Sequence, residues 1–234
     1  GLCAMGARLA SAFREGAGLD PRSFPADVAR GMARTAAARY DARTLRAWIG
    51  AVPDVAARLE AGGSAAELGC GEGRATHALA ETWPRARFTG FDIDAAAIAS
   101  AVRAGGPAAF AVAGALDFPG AGYDLVCCFE SFHEMARPLD VARRVRAALR
   151  ADGAWILVEP YAGDQLEENI GAWGRLVSSA GALHCLPVSL GQGGGALGPM
   201  AGLGRLTRVL EEAGFARVER LTSDSYQLVL AARP

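Results

Sequence analysis

The fold is decided by the stretch Ala65-Ala66-Glu67-Leu68-Gly69-Cys70-Gly71-Glu72-Gly73-Arg74-Ala75-Thr76. Its apolar start, its three alternating glycines and its continuation predict a short strand, a tight turn and the first turn of a helix. Glycines at 69, 71 and 73 permit backbone conformations closed to other residues, and they let a ligand approach the backbone closely. The helix that follows begins with free N–H groups, which favour a carboxylate or a phosphate.

This loop departs from the dinucleotide-binding fingerprint. G-x-G-x-x-G would need a glycine at Arg74, whereas the pattern here is E-x-G-x-G-x-G with Glu67 ahead of the loop. A carboxylate at that position would repel a pyrophosphate, but it can pair with an ammonium group. The sequence therefore favours a ligand with an amino-acid head and a nucleoside over NAD.

A second acid follows the glycine loop. The segment 87–92 reads as the next strand and ends in Asp92, about 20 residues after the glycines, which is the spacing that ribose recognition uses in a doubly wound fold. A strand-ending acid can instead cap a helix, but Asp94 is the better cap candidate for the helix that follows. We therefore expect Asp92 to accept hydrogen bonds from both ribose hydroxyls.

Four motifs, in this order and spacing, resemble the class I S-adenosylmethionine-dependent methyltransferases. The resemblance implies S-adenosylmethionine as cofactor, S-adenosylhomocysteine as product and a small-molecule acceptor, with oxygen as the first expectation and carbon or nitrogen as alternatives. It also implies an α/β, Rossmann-like, doubly wound sheet of seven strands with the last strand antiparallel, plus an N-terminal helical cap. The motifs are Glu67–Gly73, Gly90–Asp92, Leu116–Phe118 and Tyr123–Val126.

A narrower resemblance concerns bacterial methyltransferases that often carry an N-terminal winged-helix domain. It rests on Glu159-Pro160, the segment 182–190 and Gly198-Pro199-Met200. The chain covers the catalytic part of that group and a helical lead-in, without the winged helix. A homodimer is one assembly that the resemblance leaves open.

The chain divides into two predicted parts. Apolar residues at loose helical spacing, broken by prolines, predict a helical cap over residues 1–62. Residues 63–234 alternate strand and helix, which favours a parallel sheet covered on both faces. Within them, the glycine-rich insertion 160–203 is predicted to be a lid over the substrate. Strands are expected near 64–69, 87–92, 108–112, 123–129, 154–159, 215–222 and 225–232, and helices near 73–82, 94–104, 137–149 and 204–213.

The resemblance also implies a set of cofactor contacts. Glu67 would meet the ammonium directly or through a turn, although it could instead accept hydrogen bonds from loop N–H groups. Asp117 and Phe118 would read the adenine, although Asp117 also suits a turn before Pro119-Gly120. Phe129 would border the reactive methyl. The complete predicted set is Glu67, Gly69, Gly71, Asp92, Ile93, Asp117, Phe118 and Phe129.

Two histidines are candidate general bases. His133 follows the fourth predicted strand, where ligands bind in an open α/β sheet, and it could accept a proton from a substrate hydroxyl or amine. It could equally be a capping or buried structural residue. His184 and Cys185 lie in the insertion and could face the substrate or pack the lid onto the sheet. His77, in the helix after the glycine loop, is expected to be structural.

Composition narrows the function further. The net charge of −1 disfavours a nucleic-acid or membrane partner, and no apolar run is long enough to span a bilayer. Five scattered cysteines without C-x-x-C indicate neither a metal site nor disulfides, and they favour a reduced, cytoplasmic compartment. Arginine without any lysine, with abundant alanine and glycine, suggests a GC-rich bacterial genome.

The alternative function is a regulatory or scaffold protein that binds S-adenosylmethionine without methyl transfer.

Overall fold

A computed structural model of the chain describes residues 1–195, 197–223 and 226–234. Position 196 of the insertion and the predicted start of the last strand at 225 lie outside the described residues. Seven strands form one sheet. They are β1 (Ser64–Leu68), β2 (Arg87–Asp92), β3 (Ala109–Val112), β4 (Tyr123–Phe129), β5 (Leu149–Pro160), β6 (Arg217–Ser223) and β7 (Gln227–Arg233).

The strand order of the sheet is β3-β2-β1-β4-β5-β7-β6. β1 pairs in parallel with both β2 and β4. The chain adds β2 and β3 on one side of β1 and then β4 and β5 on the other side, so the direction of strand addition reverses at β1. β7 lies antiparallel to both β5 and β6, and it separates them. The prediction of a Rossmann-like, doubly wound, seven-stranded sheet with an antiparallel last strand is therefore confirmed.

The helices flank this sheet or precede it. Each of the four helices predicted within the alternating region is present within two residues of its expected bounds. The helices are α1 (Gly6–Glu15), α2 (Ala26–Arg39), α3 (Ala42–Gly50), α4 (Pro53–Glu60), α5 (Arg74–Thr82), α6 (Ala95–Ala104), α7 (Pro138–Ala148), α8 (Ala172–Ala180), α9 (Leu186–Gly191) and α10 (Gly202–Glu212). None of the described helices is long and apolar enough to cross a bilayer.

Each face of the sheet carries its own apolar core. Along β5, Trp155 and Leu157 enter one core, and Ile156 and Val158 enter the other, because successive side chains of a strand point to opposite faces. All four are fully buried. A strand buried on both faces is apolar throughout, as expected for the centre of a mostly parallel sheet.

The N-terminal helices cover one of these faces. Trp48 and Ile49 of α3 and Val55 and Leu59 of α4 are buried in the same core as Ile156. The residues predicted as a cap therefore pack on the sheet through α3 and α4. Burial of this apolar stripe supplies most of the stability of helices as short as these.

The insertion contains a continuous helical stretch over residues 172–191. After a short 3-10 turn (Leu166–Asn169), α8 continues through a π-helical segment (Gly181–Cys185) into α9. Several glycines and Pro187 lower the intrinsic helix propensity of this stretch. Val177, Cys185 and Val188 are nevertheless buried, so tertiary packing outweighs propensity here.

Candidate functional site

The glycine loop joins β1 to α5 with three left-handed residues. Gly69, Gly71 and Gly73 have φ values of 71°, 53° and 75°. A Cβ at Gly69 would lie 2.6 Å from the Cβ of Ser131, whereas a Cβ at Gly71 would meet nothing within 4 Å. Gly69 is thus required by close packing against the segment after β4. Gly71 leaves open space above the loop, where a ligand can lie against the backbone.

Glu67 lies at the base of this loop with 4% of its surface exposed. Its carboxylate accepts a hydrogen bond from the Thr76 hydroxyl of α5. Burial raises the pKa of Glu67 to about 8, although the Thr76 hydroxyl opposes that rise. The side chain therefore holds a proton at neutral pH, and a nearby cation would favour its charged form.

Asp92 is bonded directly to the glycine loop. Its Oδ2 accepts a hydrogen bond from the Gly71 N–H at 2.8 Å, and its Oδ1 accepts one from the Asp94 N–H at 2.9 Å. Burial raises the pKa of Asp92 above its usual value, although the two N–H donors oppose that rise. Asp94 caps α6 by accepting from the Ala96 N–H at 2.8 Å. The two acids thus divide as the sequence suggested, since Asp94 caps the helix and Asp92 faces the loop.

The predicted adenine residues lie in two different surroundings. A Cβ at Gly114 would lie 3.7 Å from Ile93 Cγ2 and 3.8 Å from Asp117 Oδ2, so these two side chains flank one backbone position. Ile93 is 50% exposed. Phe118 is fully buried, with the Arg144 guanidinium 4.4 Å from its ring centroid. Ile93 and Asp117 can meet a ligand from the surface, whereas Phe118 has no exposed face.

The end of β4 carries a strained acid. Glu130 has a φ of 51°, the only positive value among the described non-glycine residues. Its carboxylate is held by two guanidinium nitrogens of Arg39, at 2.7 and 2.6 Å, and by the side-chain amide of Gln227 at 3.3 Å. The neighbouring Phe129 packs on the Tyr40 ring at 5.2 Å. The cap thus holds in place Phe129, which the sequence predicted beside the reactive methyl, and its neighbour Glu130.

His133 is buried in the short turn after β4. Its Nδ1 contacts Glu159 Oε2, and its Nε2 lies 3.8 Å from Glu134 Oε1. Glu159 Oε1 accepts hydrogen bonds from the backbone N–H groups of Phe132 and His133, at 3.1 and 3.3 Å. Burial alone would lower the pKa of His133, but the Glu159 carboxylate raises it well above its usual value.

His184 meets the same turn from the insertion. Its Nδ1 lies 3.2 Å from Glu134 Oε1, and its ring packs edge-on against Phe24 at 4.7 Å. Burial would lower the pKa of His184, but contacts with Cys185 and Glu134 raise it to about 9. His77, in contrast, contacts the Ala101 carbonyl oxygen at 3.1 Å and packs on Phe110, as expected for a structural residue.

The structure brings both candidate bases onto one carboxylate, Glu134. We call the set His133, Glu134, Glu159, His184 and Cys185 the junction, because it ties the insertion to the end of β4. Sequence reasoning gave no role to Glu134 or Glu159. Their sequence signals are weak, since Glu134 is one acid in the turn after the fourth predicted strand and Glu159 is one acid at the end of an apolar strand. In addition, His184 lies 50 residues from Glu134 in the chain.

Comparisons with known proteins agree with this geometry. Residues 66–155 match a family model described as a methyltransferase domain. This stretch of the chain is thus similar to a methyltransferase domain. The match includes the glycine loop, Asp92 and the turn with His133, and it ends before Glu159 and the insertion. No curated protein matches the chain.

Solved structures share the fold of this chain at low sequence identity. A Nostoc punctiforme protein provisionally assigned as an O-methyltransferase is 17% identical, with a TM-score of 0.63 over 97% of this chain and 66% of its own. The mitomycin 7-O-methyltransferase MmcR is 16% identical, with a TM-score of 0.59 over 82% and 55%. NcsB1, an O-methyltransferase from neocarzinostatin biosynthesis, was solved with S-adenosylhomocysteine and 1,4-dihydroxy-2-naphthoic acid. It is 19% identical, with a TM-score of 0.56 over 75% and 50%. The chain thus spans about half to two thirds of the length of these proteins.

Proposed function

We propose that the chain transfers a methyl group from S-adenosylmethionine to an oxygen atom of a small-molecule acceptor, leaving S-adenosylhomocysteine. The observation that carries this proposal is the Gly71–Asp92 hydrogen bond. It places a carboxylate beside the open face of the glycine loop, at the carboxyl ends of β1 and β2, where an open α/β sheet binds its ligand. The methyltransferase fold and the solved O-methyltransferases that share it support the proposal.

The residues present suit this cofactor. Glu67, which burial keeps protonated, would become charged beside the ammonium of the methionine part. Gly69 and Gly71 leave the loop backbone accessible to the methionine and ribose parts. Asp92, with Ile93 beside it, would bind the ribose. We assign the adenine to Asp117 at the surface, supported from the core by Phe118, and the surroundings of the methyl group to Phe129.

A sulfonium cofactor supplies an already electrophilic methyl group, so the chain's own task is alignment and exclusion of water. Alignment can supply about 7–11 kcal/mol of the barrier, whereas a general base adds only about 10²–10⁴-fold. His133 and His184 remain our candidates for that base. Both have raised pKa values, so their proton-accepting neutral forms become abundant only at alkaline pH. We therefore assign the larger contribution to alignment.

We further propose that the insertion is a lid over the acceptor. Its segment 181–198 contacts the turn after β4 at two places, through His184 and through the Gly198 N–H, which donates to the His133 carbonyl at 3.2 Å. The turn follows the carboxyl end of β4, where the methyl group would point. The insertion is thus placed to exclude water from the reacting atoms.

The cellular setting is also a proposal. All five cysteines are free thiols, which favours a reducing compartment such as the cytoplasm. The sequence contains arginine but no lysine, which favours a bacterial source. The net charge of −1 disfavours nucleic acid as the acceptor. A homodimer is the assembly to look for first.

Calorimetry and turnover together test the function. We expect S-adenosylhomocysteine to bind and NAD to give no measurable heat. A panel of phenols, amines and activated carbon acids would then be screened for S-adenosylhomocysteine release, and we expect a phenol to react best. Tighter binding of NAD would overturn the cofactor assignment. Binding of S-adenosylhomocysteine without turnover on any acceptor would favour the regulatory alternative.

A further inference from the structure

The junction contains three different metal-ligating groups. His133 and Glu134 come from the turn after β4, and Cys185 comes from the π-helical segment of the insertion. One ligand atom from each lies within 4.8 Å of the other two, and His133 and Cys185 are buried. No other group of this kind occurs among the described residues, 1–195, 197–223 and 226–234.

A second observation concerns the ring of His133. Histidines that bind metals usually donate their other ring N–H to a carboxylate, which fixes the tautomer and the ring orientation. Here Glu159 contacts Nδ1, and Glu159 is itself held by the backbone N–H groups of Phe132 and His133. This arrangement leaves Nε2 as the ligand nitrogen. It faces Glu134 Oε1 at 3.8 Å.

We propose that the junction binds one Zn²⁺ ion through His133 Nε2, Glu134 Oε1 and Cys185 Sγ. A thiolate, an imidazole and a carboxylate form a donor set that suits this borderline-soft cation, whereas Mg²⁺ and Ca²⁺ prefer oxygen donors alone. His184 serves as an outer partner, since its Nδ1 lies 3.2 Å from the same carboxylate oxygen. Three protein ligands leave the fourth position to water or to a bound molecule.

The distances between the three ligand atoms are close to those of a tetrahedral zinc site, so only a small movement of the side chains is needed to bind the ion. Zinc bonds of about 2.0–2.3 Å place the ligand atoms of a tetrahedral site roughly 3.3–3.8 Å apart. The separation of His133 and Glu134 already falls in that range. The remaining pairs, at up to 4.8 Å, require Cys185 to approach by about one ångström. The π-helical segment that carries Cys185 begins at Gly181, and local departures of this kind from the α-helix are frequent at functional sites.

A bound ion would join the insertion to the end of β4. The two ligand segments are about fifty residues apart in the chain, so the metal would act as a cross-link across that loop and order it. It would also occupy Nε2 of His133, which would leave His184 as the remaining candidate base. This inference stands apart from the proposed function, because metal binding is measured without cofactor or acceptor.

The test uses the full chain without a histidine tag. After exposure to Zn²⁺ and dialysis, we expect one zinc per chain by elemental analysis. Co²⁺ in place of Zn²⁺ should give a thiolate-to-cobalt charge-transfer band in the near ultraviolet. Cys185→Ser should remove that band, and Cys3→Ser should keep it because Cys3 is exposed and lies outside the junction.

Further variants separate ligands from supporting residues. His133→Gln and Glu134→Gln should each weaken zinc affinity at least 100-fold, whereas the outer variant Glu159→Gln should weaken it about 10–100-fold. Circular dichroism and urea unfolding check that each variant is folded. A wild-type chain that retains no zinc would overturn the proposal. So would a cobalt band that survives in folded Cys185→Ser, or equal zinc affinity in the wild type and folded Glu134→Gln.

Discussion

The cofactor edge and the junction are built in opposite ways. At the cofactor edge, formed by the glycine loop and Asp92, the residues fall within the 66–155 family match, and the Gly71 N–H of the loop donates to the Asp92 carboxylate. The junction combines residues from the turn after β4, the end of β5 and the insertion, and contacts of their side chains join these three segments. The edge is set by backbone conformation. The junction depends on how distant segments pack, so we expect it to vary more freely among proteins with this fold.

The first prediction tests the buried acid of the cofactor edge. The pKa of Glu67 is about 8 in the folded state, whereas its ordinary value is 4.5, so the folded state binds more protons than the unfolded state between these pH values. Stability should therefore fall as pH rises from about 4.5 to 8, by roughly 3–5 kcal/mol.

Glu67→Gln should remove most of that pH dependence from the free energy of unfolding. Urea titrations at pH 5 and pH 9 measure the difference. Glu81→Gln is the matched control, since Glu81 is exposed and lies in the adjoining helix α5. An unchanged pH profile in Glu67→Gln would show that Glu67 is ionised throughout.

The second prediction tests whether backbone conformation sets the edge. Gly69→Ala combines a positive φ with a 2.6 Å approach to Ser131 Cβ, so it should cost roughly 2–4 kcal/mol of stability. Gly16→Ala has a similar φ of 64° in the left-handed helical region but meets nothing within 4 Å, so it should cost only about 1 kcal/mol. Chemical denaturation compares the two variants. An equal loss of stability in the two variants would mean that Ser131 moves aside without strain.

The third prediction separates ribose binding from helix capping. Asp92→Ala should weaken S-adenosylhomocysteine binding by about 1.5–3 kcal/mol, because a charged acceptor of hydrogen bonds is lost. Asp94→Ala should leave that affinity unchanged and lower stability by about 1 kcal/mol, because α6 loses its N-cap. Calorimetry and thermal unfolding read the two effects. Similar affinities in the two variants would place the ribose elsewhere.

The smallest expected effect lies at the end of β4. Arg39→Ala should destabilise the chain by about 1–2 kcal/mol, since it leaves the half-buried Glu130 without its guanidinium partner. Arg22→Ala breaks an exposed ion pair with Asp20, and it should leave the stability of the chain essentially unchanged. The denaturation midpoints of the two variants compare their stabilities. Equal midpoints would show that the cap is held by apolar packing alone.

The sequence predicted the conformation of the glycine loop and the strand that ends at Asp92, because their determinants are local. Alternating glycines, an acid before them and an acid ending the next strand each constrain the backbone within a few residues. The helix of the insertion escaped prediction, since glycines and Pro187 lower its propensity while burial of residues such as Val188 stabilises it. Glu159 escaped as well, because nothing in an apolar strand indicates that its carboxylate meets His133. Packing across fifty residues leaves no local pattern.

The position of β7 has a consequence for how the protein is made. β6 meets the sheet only through β7 among the described strands, and β7 fills the gap beside β5. Until β7 has emerged from the ribosome, β5 therefore presents an open edge, and β6 has no place to dock. The sheet can close only after residue 233 has left the exit tunnel. Until then β5 resembles an exposed edge strand, which is the kind of surface that recruits neighbouring chains or a chaperone.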